Sequence, residues 1–513
     1  GAIESMVAST LVPGEIWVGT DNGIIQMTRD TGRTWHDVSI RDLPNPRVAN
    51  ISSVELSHRT PGTAYVAVEY LRSGDHRPYL YRTRDRGRTW TAIVAGLPAD
   101  EPSGSFARVL REDAQAPGLL FAGTESSIYV SFDDGDHWQS LALDLPNSPV
   151  RDLTIKGNDL LIATHGRGLW VIDDISMLRE LRRRGSAVAA DRAWLFGPGT
   201  ATRVRRNVNQ DTPLHREIPH ADNPPDGAII DYWLGAAVDS VTIDILDAAG
   251  SLVRRYSSTV PEPIAESAKP SFPNFWLAEP RGLPTAAGGH RVNWDLRYDA
   301  PPAFARSYEI NANPGATPAS PEGPLVAPGT YTIRLRAGSE TRTRTVTVRN
   351  DPRSTATAAA VRQQVAFQKQ ITAAMRRAWD GEQQVTALRS GIASAAAGSD
   401  DVRQALDALS AAIDSAAGGS RGSGRPSNPA TGPTFRSTSG AFGGMLNAQD
   451  NADFAPTAGM RALYAARCAD LAKAHAAWRH VLTVSAPAAN AVLTGRGLAP
   501  LVVPRAAAAP ACR

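Results

Sequence analysis

Cysteine is almost missing from this chain: Cys468 and Cys512 are the only two in 513 residues. That is too few for a disulfide scaffold, and the pair lacks metal-site spacing. Two readings stay open: one bridge fastening the C-terminal tail, or a buried thiol at Cys468 with a free one in the tail. The usage leans only slightly toward an oxidising compartment. Long apolar runs are missing too, so no helix of the kind that spans a bilayer is expected. Nor does one sign of charge dominate. The formal net charge is +3, from 54 basic and 51 acidic residues, which implies no nucleic-acid partner.

Catalytic signatures are equally scarce. There is no P-loop, no dinucleotide-binding glycine fingerprint, no His-Glu pair of a zinc protease and no Gly-x-Ser-x-Gly elbow. His475 and His480 stand five apart, off a single helix face, which disfavours a metal pair. A glycosidase needs two carboxylates facing one cleft. Asp173 and Asp174 are neighbours that a strand would point to opposite sides. No catalytic residue, cofactor or metal is therefore expected. The opening Gly1-Ala2-Ile3-Glu4 has neither an initiator Met nor the pattern of a signal peptide, so a processed product or fragment is expected.

What is present is a repeat. Thr28-Arg29-Asp30-Thr31-Gly32-Arg33-Thr34-Trp35 returns as Thr83-Arg84-Asp85-Arg86-Gly87-Arg88-Thr89-Trp90, and again as Ser131-Phe132-Asp133-Asp134-Gly135-Asp136-His137-Trp138. The period is about fifty residues, in the range of propellers and solenoids. A strand-like run precedes each copy: Glu15–Thr20, Thr63–Val68 and Leu119–Thr124. Asp and Gly two apart between β-runs predict a hairpin turn, the carboxylate accepting backbone N–H bonds and the glycine taking positive φ. The Trp that follows is expected to point into the layer between neighbouring sheets.

This box resembles the Asp-box, or BNR, repeat of sialidases, sortilin-type receptors, two-propeller xyloglucanases and photosystem II assembly factors. The resemblance covers about residues 1–180 and implies that Asp30, Gly32, Trp35, Asp85, Gly87, Trp90, Asp133, Gly135 and Trp138 are structural staples on a propeller rim. His165-Gly166-Arg167-Gly168-Leu169-Trp170 looks like the closing blade of large bacterial sortilin-like BNR proteins. His165 reads as a hydrogen-bonded hairpin residue, with a ligand or general base as the alternative. Only about four blades fit into 1–175, whereas Asp-box propellers usually close with more, so these blades are expected to be part of a larger ring. A sheet face left open is costly in water. Other protein subunits, including whatever completes the propeller, are therefore the expected partners.

Beyond the blades, 176–187 with its basic run reads as a short helix and linker. Alternating strand runs over 188–350, among them Ala228–Leu234, Val241–Leu246 and Tyr331–Leu335, predict an antiparallel sandwich. Asn293-Trp294-Asp295-Leu296-Arg297 and Pro328-Gly329-Thr330-Tyr331 resemble the Ig-like domain of the flagellar hook-capping type. From Ser354 the apolar period changes to about 3.6. Val361, Val365, Ile371, Met375 and Trp379 mark one helix, Val402, Leu406, Leu409 and Ile413 a second, and Met460, Tyr464, Leu471, Trp478 and Leu482 a third. These define a helical region at 351–485. It is expected to carry a flexible insert at 418–444 and to be followed by an extended tail at 486–513.

The fold class expected is mainly β: Asp-box blades, an Ig-like sandwich and an α-helical C-terminal region. The function expected is a non-catalytic interaction or scaffold subunit of an exported, periplasmic or cell-surface assembly. The resemblance to photosystem assembly factors adds a membrane complex such as a photosynthetic one as a conceivable docking partner. The alternative, from the resemblance to xyloglucanases and sialidases, is a glycoside hydrolase or carbohydrate-binding protein.

Overall fold

The computed structural model describes residues 1–99, 105–185, 187–205, 212–215, 217–218, 221, 223–260, 272–278, 281–395, 398–419 and 430–505. The chain is mainly β with a helical C-terminal region, and it forms two compact units. The first comprises 1–199, 229–238 and 286–291; the second comprises 200–228, 239–285 and 292–513. The 188–350 stretch, expected as a single sandwich, thus contributes to both.

Three antiparallel meanders of four strands open the first unit. They are β1 (Ile3–Ala8), β2 (Ile16–Thr20), β3 (Ile25–Thr28) and β4 (His36–Asp37); then β5 (Asn50–Leu56), β6 (Ala64–Tyr70), β7 (Asp75–Thr83) and β8 (Thr91–Ala92); then β9 (Ala107–Glu112), β10 (Leu120–Thr124), β11 (Ile128–Ser131) and β12 (Gln139–Ser140). A three-stranded fourth blade follows, β13 (Val150–Lys156), β14 (Asp159–Thr164) and β15 (Leu169–Ile172). Consecutive blades pack face to face through their first strands, β1 on β5, β5 on β9 and β9 on β13. One apolar layer lies between each pair. Trp17, Ile25 and Met27 meet Ile51, Val54 and Val66, and Tyr65 and Leu80 meet Leu110 and Trp138. Both faces of an interior blade are covered, which is why β5 and β9 lack the apolar/polar alternation of a one-sided sheet.

The stretch expected as a short helix and linker does form a helix, α1 (Ser176–Arg184), and it is docked rather than a solvated connector. Ile175 and Leu178 enter the apolar layer of the third and fourth blades. Arg179 is buried with Asp113 in an ion pair of 2.8 Å, and a buried charge needs such a partner. Glu180 accepts from the indole of Trp194 and the amide of Gly197, and the Arg184 guanidinium stacks 4.0 Å above the Trp194 ring. A short helix, α2 (Ala187–Ala190), precedes the strand β16 (Ala193–Leu195), which starts a sheet ordered β16, β18 (Ala228–Leu234), β21 (Gly288–Trp294).

In the second unit the main sheet runs β17 (Ala201–Arg203), β25 (Glu340–Asn350), β24 (Gly329–Ala337), β19 (Val241–Leu246), β20 (Leu252–Ser257). Its edge pair β17 and β25 is parallel, a departure from the all-antiparallel expectation. A small hairpin, β22 (Ser307–Tyr308) with β23 (Ala319–Ser320), lies between β21 and β24. The helices are α3 (Ala358–Ser394), α4 (Asp400–Ala417), α5 (Phe435–Asp450), α6 (Ala458–His480) and α7 (Ala486–Gly495). Two expectations are corrected here. Residues 435–444 of the supposed flexible insert are helical, capped by Thr434 and Ser437 in reciprocal hydrogen bonds and packed along α3. The tail does not become extended at Ala486, because a π-turn over Val481–Ser485 carries the chain into α7. Arg203, fully buried on β17, pairs at 2.5 Å with Asp453, and Arg205 and Arg297 each pair at 2.8 Å with Asp450. The Arg203 and Arg205 bonds join the sheet edge, and the Arg297 bond the chain after β21, to the end of α5 and the residues just beyond it.

Candidate functional site

The three boxes share one pattern of hydrogen bonds. In the first, the Thr28 hydroxyl donates to Asp30 at 2.8 Å and accepts from the Gly32 amide at 2.9 Å. The Thr34 amide and hydroxyl then donate to the two Asp30 oxygens at 2.8 and 2.6 Å. Thr83, Asp85, Gly87 and Thr89 repeat these bonds at 2.7–2.9 Å. Ser131, Asp133, Gly135 and His137 repeat them again, with the His137 ring nitrogen in place of the threonine hydroxyl at 2.7 Å. A carboxylate receiving several donors is stabilised in its charged form. Asp30 is held down to about 2 by the Thr34 hydroxyl and amide and the Thr28 hydroxyl. The Thr89 amide and hydroxyl lower Asp85. At Asp133 burial pushes the other way, and the His137 and Ser131 bonds outweigh it.

The backbone is shared as well. Thr31, Arg86 and Asp134, before the glycines, sit at φ 62°, 60° and 65°, and the glycines at 89°, 75° and 91°. Each of those three non-glycine amides donates to a carbonyl in the turn between its blade's first two strands, Gly14, Gly62 or Gly118.

The boxes differ where the tryptophans go. The Trp90 indole donates to the Val38 carbonyl of the first blade at 2.9 Å, and the Trp138 indole to the Ile93 carbonyl of the second at 2.8 Å. Trp138 is 3% exposed. Trp35 departs from the expectation of a tryptophan between sheets: it is 40% exposed, and its indole folds back onto the Gly32 carbonyl of its own turn at 3.2 Å. The glycines differ in parallel. A Cβ on Gly87 would lie 2.6 Å from Val38 and one on Gly135 2.6 Å from Ile93, while one on Gly32 would meet only the Trp35 ring, at 3.7 Å. On the same side of the unit, Ile3 is 64% and Met6 70% exposed, although the corresponding strands β5 and β9 are largely buried.

The other residues singled out have local roles. His165 lies 2.9 Å from the Arg151 guanidinium through its Nδ1. Asp173 and Asp174 follow β15 and are not strand neighbours, since Asp174 takes φ 51°. The two Asp174 oxygens accept the Ser176 and Gly199 amides, and Asp231 is bound by Nε and Nη2 of Arg291 at 2.8 and 2.9 Å. Burial, then Asp159, raises Asp173. The Asp174 and Asp231 carboxylates are thus engaged in holding the chain. Among the described residues no group of His, Cys, Asp and Glu could hold a metal ion, and no helix is long and apolar enough to cross a membrane. Cys468 is half-buried on α6 against the helical core. Cys512 lies outside the described residues, and with it the bridge that was one of the two readings.

No protein-family model matches the chain, and no curated protein does. Solved structures with similarity include YCF48 from Cyanidioschyzon merolae, 17% identical over 34% of this chain and 53% of that one, with a TM-score of 0.25. YCF48 bound to D1 peptide is 17% identical over 50% and 68%, at 0.26. The GH74 xyloglucanase from Xanthomonas campestris is 11% identical over 67% and 47%, at 0.26. The chain spans about half the length of the first of these.

Proposed function

We propose that this is an Asp-box propeller protein of the sortilin-like BNR type, acting as a non-catalytic interaction or scaffold subunit of an exported assembly. The carrying observation is the uncovered face of the first blade, where Ile3, Met6 and Trp35 are exposed although their counterparts in the next blades are packed. Exposed apolar surface of this kind marks an interaction site. The boxes supply rigidity, because every Asp-box carboxylate is saturated by donors from its own turn. A membrane-embedded complex is the class of assembly to try first, on the resemblance of the boxes to those of photosystem assembly factors.

The test is a pair of measurements on the full chain. Incubated with xyloglucan and with sialosides, it should release no reducing sugar or sialic acid; turnover of either would replace this reading with a hydrolase. Isolated from its native source, it should elute in a complex of fixed stoichiometry. Elution as a lone monomer would remove the scaffold role.

A further inference from the structure

The interfaces inside this chain follow a rule that specifies what covers the open face. Three residues after each box tryptophan, Val38, Ile93 and Leu141 extend the blade's last strand, their amides bonded to the Ile25, Leu80 and Ile128 carbonyls of the adjacent strand. The Val38 and Ile93 carbonyls accept the indole of the next blade's box, and their side chains lie against the glycine of that box. A blade therefore offers the next one an aliphatic side chain and a carbonyl, and receives them with a glycine and an indole N–H. Trp35 and Gly32 have the receiving half of this lock and, among the described residues, nothing in it.

We propose that the occupant of the first-blade face is a further Asp-box blade, one not among these four. It would present an aliphatic residue three positions after its own box tryptophan, with that residue's carbonyl on Trp35 Nε1 and its side chain over Gly32. A second copy of this chain does not meet the requirement. Its Val38 and Ile93 carbonyls are already taken by Trp90 and Trp138, and its Leu141 is buried in the layer between the third and fourth blades. The proposal deepens the reading of the chain as an interaction subunit. It is tested separately from it, since sugar turnover would leave the lock geometry untouched.

The chain supplies its own probe. Ala8 faces Ile16 as Leu56 faces Ala64, so residue 1 stands before β1 where residue 49 stands before β5. A copy of residues 1–48 placed directly before Gly1 therefore enters in register. The added copy carries Trp35→Phe, so that only the original Trp35 is read by oxidative footprinting, with Trp90 and Trp138 as internal standards. Oxidation of Trp35 should fall severalfold, to the rate of Trp90, and Val38→Asp in the added copy should restore it. If Trp35 stays as reactive as in the 513-residue chain, the face is not a blade acceptor and the proposal fails. If raising the concentration of the unextended chain protects Trp35, a second copy is the occupant and the proposal also fails.

Discussion

Gly87 and Gly32 hold the same place in two boxes, yet the same substitution should cost them differently. Both sit at positive φ, where an added Cβ is strained by about 1 kcal/mol or more. At Gly87 the Cβ also drives into Val38, an overpacking that adds about 1–3 kcal/mol. Gly87→Ala should therefore melt well below Gly32→Ala, and equal melting temperatures would contradict the packing described here. Asp85→Ala removes the acceptor of the Thr89 amide and hydroxyl and should cost about 1–2 kcal/mol with no loss of partner binding. Asp30 gives the pH dependence. Its folded pKa, about 2, lies below the ordinary 3.8, so its contribution is complete above the unfolded value and disappears as pH falls from about 4 toward 2. An NMR titration of its carboxyl with a midpoint near 4 would refute the bonding drawn for it. The box bonds were legible in the sequence because they join residues two to four apart. The direction of Trp35 was not, because it depends on a neighbouring blade: one supplies the acceptor for Trp90 and Trp138, and none among the described residues does so for Trp35.

At the scale of elements, the strands of the blades could be read from their apolar runs and turn glycines, and α3, α4 and α6 from their period. α5 was hidden by its composition. Gly440, Gly443, Gly444 and several serines resemble a flexible segment, and glycine in a helix costs about 1 kcal/mol against alanine. Tertiary packing overrides that cost: Phe435, Phe442, Met445 and Leu446 are buried in the helical core, and Thr434 with Ser437 closes the N-terminus. The surface receiving Phe435 is Gly381 on α3, where a Cβ would come within 2.5 Å of the ring. Gly381→Ala is expected to destabilise by about 1–3 kcal/mol of overpacking, although alanine is the better helix former. A rise in melting temperature would show that α5 does not lie on α3 through this contact. α7 was likewise misread, because Pro487 and the alanines suggested an extended tail, whereas proline is tolerated in a helix's first turn.

For the whole molecule, the question is what the first-blade face contributes when nothing covers it. Ile3 and Met6 bury little apolar area, so replacing them should leave folding nearly unchanged, as surface substitutions away from special features usually do. The same side chains keep an apolar face in water and should drive dye binding and self-association. Lysines on an exposed edge blunt both. The double variant Ile3→Lys, Met6→Lys of the full chain is therefore expected to keep its melting temperature within a degree or two, bind less hydrophobic dye and remain monodisperse at higher concentration. It should also lose whatever subunit the native protein carries on this face. A variant that melts much lower would mean that Ile3 and Met6 are core residues and that the first blade is already covered. A variant that keeps its stability, dye binding and partners unchanged would move the interaction surface elsewhere, with Leu169, 78% exposed, and Val171 on the last blade's outer strand as the next face to test.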